Sequence, residues 1–154
     1  MTTQILTLKS IEALVNFEKE ARATEPDVFT GDFDACKYKA ETESVLKNSN
    51  FFSARCIICV NEESKVIGRI DFSIVSSFSF GGNIQVYVDW IYVLKEFRHQ
   101  GIAQLLFSQM EAYIEKMGIN EYFLLMAKNA EAQNFYRNMV AEEIENHDIL
   151  RKRL

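Results

Sequence analysis

The run VLKEFRHQGIAQLLF, Val93–Phe107, decides how this chain folds, because two periodicities meet in it. Before it, Ile84–Val93 is dense in β-branched and aromatic residues and predicts a strand. After it, Ile102, Leu105, Leu106, Met110, Tyr113, Ile114 and Met117 recur at helical spacing, which predicts a helix over about 101–117 with Gly118 just past its end. Arg98, Gly101 and Ala103 stand at the join. A helix N-terminus leaves backbone N–H groups without partners and carries partial positive charge, so a slim, glycine-containing turn there can hold an anion. The local pattern leaves two readings open: a phosphate site, or a tight turn that needs glycine only for its dihedral angles. The phosphate loops GxxxxGK(S/T) and GxGxxG are both absent.

Working outward, QILTL at 4–8 reads as a first strand, followed by a helix in which Ile11, Leu14, Val15 and Glu18 share one mostly apolar face, with Ser10 as its cap. The segment Thr24–Asp34 holds the only proline, Pro26, and a cluster of acids, and reads as a loop. A weaker helix is expected at 39–48, strands at 52–60 and 66–75, an interruption at SSFSFGG, a strand in EYFLLMA and a short helix in NAEAQNFYRNM. The last segment, 141–154, reads as two strands joined near Asn146 and His147. The expected order is β-α-α-β-β-β-α-β-α-β-β, an α/β class with a mixed sheet flanked by helices, in a single domain over 1–154.

With 154 residues and 48% hydrophobic content, the chain can bury a sizeable core. A net charge of -5 and scattered basic residues argue against nucleic acid as a partner, and RKRL at the end reads as part of a solvated last strand. No run of 18 apolar residues or secretory leader is visible, so no membrane association is expected and a cytoplasmic location is. Cys56 and Cys59 in CIIC lie on a predicted strand, where residues three apart point to opposite faces, so packed free thiols are expected rather than a metal or redox pair. Two distant histidines, His99 and His147, do not suggest a metal site either.

Two motifs carry a resemblance. VLKEFRHQGIA is similar to the acetyl-CoA signature of the GNAT superfamily of N-acetyltransferases, (R/Q)-x-x-G-x-(G/A), at Arg98, Gly101 and Ala103. NAEAQNFY fits the same family's N-x-x-A-x-x-x-Y at Asn129, Ala132 and Tyr136, and the expected element order matches that family's fold. The resemblance implies that backbone N–H groups across His99, Gln100, Gly101, Ile102, Ala103 and Gln104 cradle the pyrophosphate of acetyl-CoA (coenzyme A), with Arg98 adding a charge-assisted contact. It further implies that the cofactor's arm pairs with the 84–93 strand at Ile91, Tyr92 and Val93, that this strand splays from 121–127, and that Asn129 and Tyr136 line the cofactor's other side. Two departures stand out: Val140–Ala141 replaces the usual glycine-phenylalanine pair, and no proline follows the strand valine.

The implied chemistry is direct attack of a primary amine on the thioester, which calls for a base, an oxyanion donor and an acid for the leaving thiolate. Tyr136 matches the family's acid. Asp89 in YVDWIYV is the first candidate for the base, since relatives acting on small polyamines carry an acid there; on a regular strand it would share a face with Tyr87, Ile91 and Val93. Asp71 is the second candidate. Glu25, Asp27, Phe29, Asp71 and Phe80 are expected to bind the acceptor, a small-molecule amine, the acids by attracting it and the aromatics by packing on its apolar part. A peptide acceptor and a non-catalytic acyl-CoA-binding domain are the competing readings, and pairing into a homodimer accords with many relatives.

Overall fold

The computed structural model describes residues 1–29, 31–51, 53–76, 84–127 and 129–139. It forms two compact units, Met1–Leu124 and Leu125–Leu154. The first contains β1 (Thr2–Ile5), α1 (Ile11–Thr24), α2 (Ala35–Lys47), β2 (Ala54–Val60), β3 (Val66–Ser76), β4 (Ile84–Val93), α3 (Ile102–Glu115) and β5 (Tyr122–Leu124). The second contains α4 (Ala130–Asn138) among its described residues. The expected final strands, together with Phe80, His147 and Val140–Ala141, lie outside the described residues.

The sheet runs β1-β2-β3-β4-β5, antiparallel through β4, with β5 parallel to β4. Strand alternation sends successive side chains to opposite faces. One face packs Ile58, Val66 and Tyr92 against Leu14, Phe17 and Ala21 of α1. The other receives α3, whose Ile102, Leu106, Phe107, Met110 and Ile114 are buried at helical spacing. Gly68 of β3 is where α3 comes closest: a Cβ there would lie 3.0 Å from the side chain of Ile102 and 3.3 Å from that of Leu106. Each large apolar side chain in this core contributes roughly 1.5–3 kcal/mol by leaving water. Gly118 stops α3 at φ 74°, and the bonds Ile119 N–H to Ile114 O (3.1 Å) and Gly118 N–H to Glu115 O (2.9 Å) close its end as a Schellman motif.

Several boundaries differ from expectation for identifiable reasons. The chain leaves the β1 ladder at Leu6 and turns through a short 3-10 helix at Leu8–Ser10, so the first strand is Thr2–Ile5. Ser10 precedes α1 but makes no side-chain cap bond. α2 begins at Ala35, four residues before the expected start, because the Asp34 carboxylate accepts from the N–H groups of Cys36 (2.9 Å) and Lys37 (3.0 Å). Cys56, Cys59 and Cys36 are free thiols; Cys56 packs on the α1 face and Cys59 is fully buried. Among the described residues, no helix is long and apolar enough to cross a membrane, and no group of three or more His, Cys, Asp or Glu could hold a metal ion.

Candidate functional site

The two halves of β4 have different neighbours. Val86, Tyr87 and Val88 pair with β3 on one side and with Tyr122, Phe123 and Leu124 of β5 on the other. The next residue, Asp89, is an extra one: Asp71 of β3 faces Trp90, while Phe72 faces Val88. Such a bulge bends the strand and interrupts pairing, and the β5 ladder ends beside it at Leu124. The bulge also resets the alternation. Tyr87 pairs with Ser73 and Ile91 with Ile70, residues three apart on β3, so Tyr87 and Ile91 point to opposite faces. The expectation that Asp89 shares a face with Tyr87, Ile91 and Val93 is therefore corrected: Asp89 stands exposed on the bulge.

Beyond the bulge, the N–H of Leu94 bonds to Ile67 O at 3.0 Å, toward β3. By alternation, the backbone groups of Ile91 and Val93 point to the opposite edge, where β5 registers no partner for them among the described residues. The Val93 carbonyl on that edge accepts from Arg98 Nε at 3.2 Å. Among the described residues, the N–H and C=O of Ile91 are left as the open pair.

The chain then makes a short 3-10 helix at Lys95–Phe97 and enters α3 through a turn with two left-handed residues, His99 (φ 59°) and Gly101 (φ 77°). Gly101 is the N-cap of α3, and no side chain caps this helix. A Cβ at Gly101 would meet nothing nearer than Gln104 Oε1 at 4.0 Å, so its φ, not crowding, is what favours glycine, and the space before the helix is open. The first-turn N–H groups at Ile102, Ala103 and Gln104 thus point from an uncapped helix end, with the dipole behind them. His99, Gln100 and Gly101 are exposed and the Ile102 side chain is buried, so at Ile102 the backbone is what the turn can offer.

Arg98 does not extend toward this helix end. Its Nη1 donates to Glu25 Oε1 at 3.1 Å, its Nη2 donates to Glu25 Oε2, and its guanidinium lies 5.3 Å from the centre of the Tyr92 ring. Tyr92 Oη also donates to Glu25 Oε2, at 2.5 Å. Burial alone would raise the Glu25 carboxyl, but the hydrogen bonds from Tyr92 and Arg98 and the Arg98 charge outweigh it and hold its pKa below the usual range. The Tyr92 phenol is pushed up, first by burial and then by Glu25. Two expectations change here. The charge of Arg98 is spent inward on Glu25, and Glu25 is committed to that pair instead of standing ready for an acceptor.

The α1 face of the sheet holds a second, buried network that sequence reasoning missed. Arg69 Nη1 lies 2.6 Å from Glu18 Oε1 and donates to Tyr38 Oη at 2.8 Å, and Arg69 Nη2 lies 2.8 Å from Asp71 Oδ2. Glu18, 2% exposed, also faces Arg22 Nε at 3.4 Å. Burial raises the Tyr38 phenol, and burial followed by the Asp71 charge pushes the Cys56 thiol well up. Asp71 is thereby held by an arginine, which weakens the case for it as a base. An acid on the apolar face of a helix was the available signal, because a buried carboxylate needs a cation. Phe29 packs edge-on against Tyr92 (centroids 4.9 Å) and Trp90 (5.9 Å), with Arg22 5.1 Å above its ring. It is a packing residue of the core cluster. Asp27 is exposed.

In the second unit, Asn129 caps α4 by accepting from Ala132 N–H at 2.8 Å, while its amide still carries donors. Gln133 Nε2 donates to Ala127 O at 2.7 Å. Tyr136 is half-buried, lies edge-on to Phe135 (5.4 Å), and has its phenol pKa raised by burial, which keeps it protonated at neutral pH.

Comparison with known proteins gives the family and the fold. The model of the acetyltransferase (GNAT) family matches residues 17–139. The aminoglycoside acetyltransferase meta-AAC0020 from an uncultured soil metagenomic sample, solved with sisomicin, has a similar fold: TM-score 0.80, 14% identity, covering 99% of this chain and 95% of that one. AAC(6')-Iy, solved with the bisubstrate analogue CoA-S-monomethyl-acetylneamine, superposes with TM-score 0.76 at 21% identity, covering 99% and 98% of the two chains. The aminoglycoside 6'-N-acetyltransferase AAC(6')-IG of Acinetobacter haemolyticus gives TM-score 0.72 at 16% identity, covering 100% and 99%. No curated protein matches the sequence.

Proposed function

The chain belongs to the GNAT acetyltransferase family, and from this premise we propose that it transfers the acetyl group of acetyl-CoA to a primary amine of a small molecule. The observation that carries the reading is the uncapped N-terminus of α3, opening at Gly101 just beyond the strand edge that bears the open backbone groups of Ile91. The chemistry of this turn fits a pyrophosphate: an aligned set of backbone N–H donors, partial positive charge and room at the glycine. Backbone N–H groups across His99–Gln104 would hold it, and Ile91 and Val93 would pair with the extended arm of the cofactor. When bound, acetyl-CoA supplies the reactive thioester and the leaving thiolate.

The chain's own groups then have separate tasks. The Ile91 N–H would donate to the developing oxyanion, a role that backbone N–H groups perform well because they are fixed beforehand. Asp89, exposed on the bulge, takes the proton of the amine directly or through a water. The family motif matched at Asn129 and Tyr136 would give Tyr136, protonated at neutral pH, the role of proton donor to the thiolate, and would leave the Asn129 amide for the cofactor. Asp27 and Asp89, both exposed, would attract a cationic amine. That the similar enzymes named above are aminoglycoside acetyltransferases supports a small-molecule acceptor, and three free thiols accord with the reducing cytoplasm.

Calorimetric titration with acetyl-CoA tests the reading. Wild-type protein is expected to bind, and Gly101→Glu to bind on the order of 100-fold more weakly, since like charges brought together cost several kcal/mol. Amine-dependent release of free thiol should follow with the wild type alone. A folded wild type that does not bind acetyl-CoA would overturn the reading.

A further inference from the structure

Resting on the reading above, we infer that Glu25 is a positioning residue for the cofactor turn: acting through Arg98, it holds the turn in the shape that leaves the α3 N-terminus open. The guanidinium of Arg98 is occupied on three sides. Both terminal nitrogens donate to the two oxygens of Glu25, Nε donates to the Val93 carbonyl at 3.2 Å, and Cζ lies over the Tyr92 ring. The pair is sheltered, at 20% and 17% side-chain exposure. A two-pronged arginine–carboxylate pair fixes orientation as well as distance, so the backbone at Arg98, one residue before the first left-handed position, is set by Glu25.

Glu25 is itself well anchored. It follows the last residue of α1, its N–H bonds to Ala21 O at 2.9 Å, and its carbonyl accepts from Val28 N–H at 3.1 Å. A carboxylate at the C-terminal end of a helix is unfavourable against the dipole unless a cation meets it, and Arg98 is that cation. The Phe29 ring, 4.9 Å from that of Tyr92, packs the same segment onto β4. The start of the α1–α2 connection and the cofactor turn therefore share one clamp, although 73 residues separate its two charged members.

The sign of one substitution separates positioning from simple proximity. A carboxylate near a bound polyanion repels it, so removing that charge should tighten binding if Glu25 is merely close by. If Glu25 positions the turn, removal should weaken binding despite the lost repulsion. We expect Glu25→Gln to bind coenzyme A about tenfold more weakly, with the loss falling on KM for acetyl-CoA more than on kcat. Amide hydrogen exchange should quicken across residues 98–104, and a urea transition should show that the variant is folded. The exchanged pair Glu25→Arg with Arg98→Glu should recover coenzyme A binding relative to Arg98→Glu alone, since the clamp is rebuilt with its charges reversed.

Coenzyme A binding by Glu25→Gln equal to or tighter than wild type, unchanged exchange at 98–104, or no recovery in the exchanged pair would each overturn the inference. If wild-type protein does not bind coenzyme A, the proposed function fails, and the exchange rates at 98–104 still decide whether Glu25 holds the turn.

Discussion

The first and second halves of β4 share one strand and have opposite tasks. Val86 and Val88 are almost fully buried and lie in a segment laddered on both edges, so every backbone group there has a structural use. From Asp89 onward, among the described residues, only the β3 edge is registered, and the other edge of Ile91 and Val93 is where, in the proposed function, the cofactor arm would act as a further strand. A single extra residue separates the two. The β5 ladder stops there, while the β3 ladder continues to hold the strand in place.

Changes at three positions test this contrast. The largest effect is expected from Val86→Asp in the doubly laddered half. It places an unpaired charge in the core and should cost more than about 4 kcal/mol, read from the urea midpoint or as failure to fold.

Next comes Asp89 itself. Deleting it leaves a regular strand in which Phe72 still faces Val88 and Asp71 still faces Trp90, so the fold should survive with its faces unchanged. Activity should nevertheless fall about a thousandfold in kcat/KM: about 100-fold from the lost carboxylate, and about tenfold because the straightened strand no longer bends where the β5 ladder ends and so misplaces the Ile91 edge. Asp89→Asn keeps the bulge and should lose only the first part, with acetyl-CoA affinity unchanged by calorimetry. If deletion and Asn behave alike, the bulge has no role in binding.

The smallest effect is the acid response of the clamp at the end of β4. The folded-state pKa of Glu25 lies below its unfolded value, so its contribution is present above about pH 4.3 and is lost as pH falls through the folded value. Wild-type protein should therefore lose stability more steeply than Glu25→Gln below about pH 4, as read from paired urea transitions across pH.

Much of the contrast is legible in the sequence, but unevenly. The bounds of β4 follow from its β-branched and aromatic density, and Arg98, Gly101 and Ala103 mark the turn whichever partners they take. The bulge does not show, because VYVDWIYV alternates well enough to pass as one regular strand; only the pairing with β3 reveals that Asp89 is extra. α2 was expected to start late because it buries no residue, and a helix without a buried stripe has little periodicity to read; its Asp34 cap was there to be found. Glu18 on an apolar helix face hinted at a buried cation, but nothing nearby in sequence named Arg69 as that cation.

Among the described residues, the sequence alone determined the element types, the strand-to-helix join at 93–102 and the two motifs, because each depends on residues within a few positions of one another. Tertiary structure alone decided which charges are spent and which are offered. Glu25 was expected to meet an acceptor and Arg98 a phosphate; folding brings them together across 73 residues and neutralises both. Asp71 was a candidate base, and folding pairs it with Arg69, which Glu18 holds from its other nitrogen. A charge takes its role from its nearest opposite charge and from its distance to water, and both are properties of the packed chain.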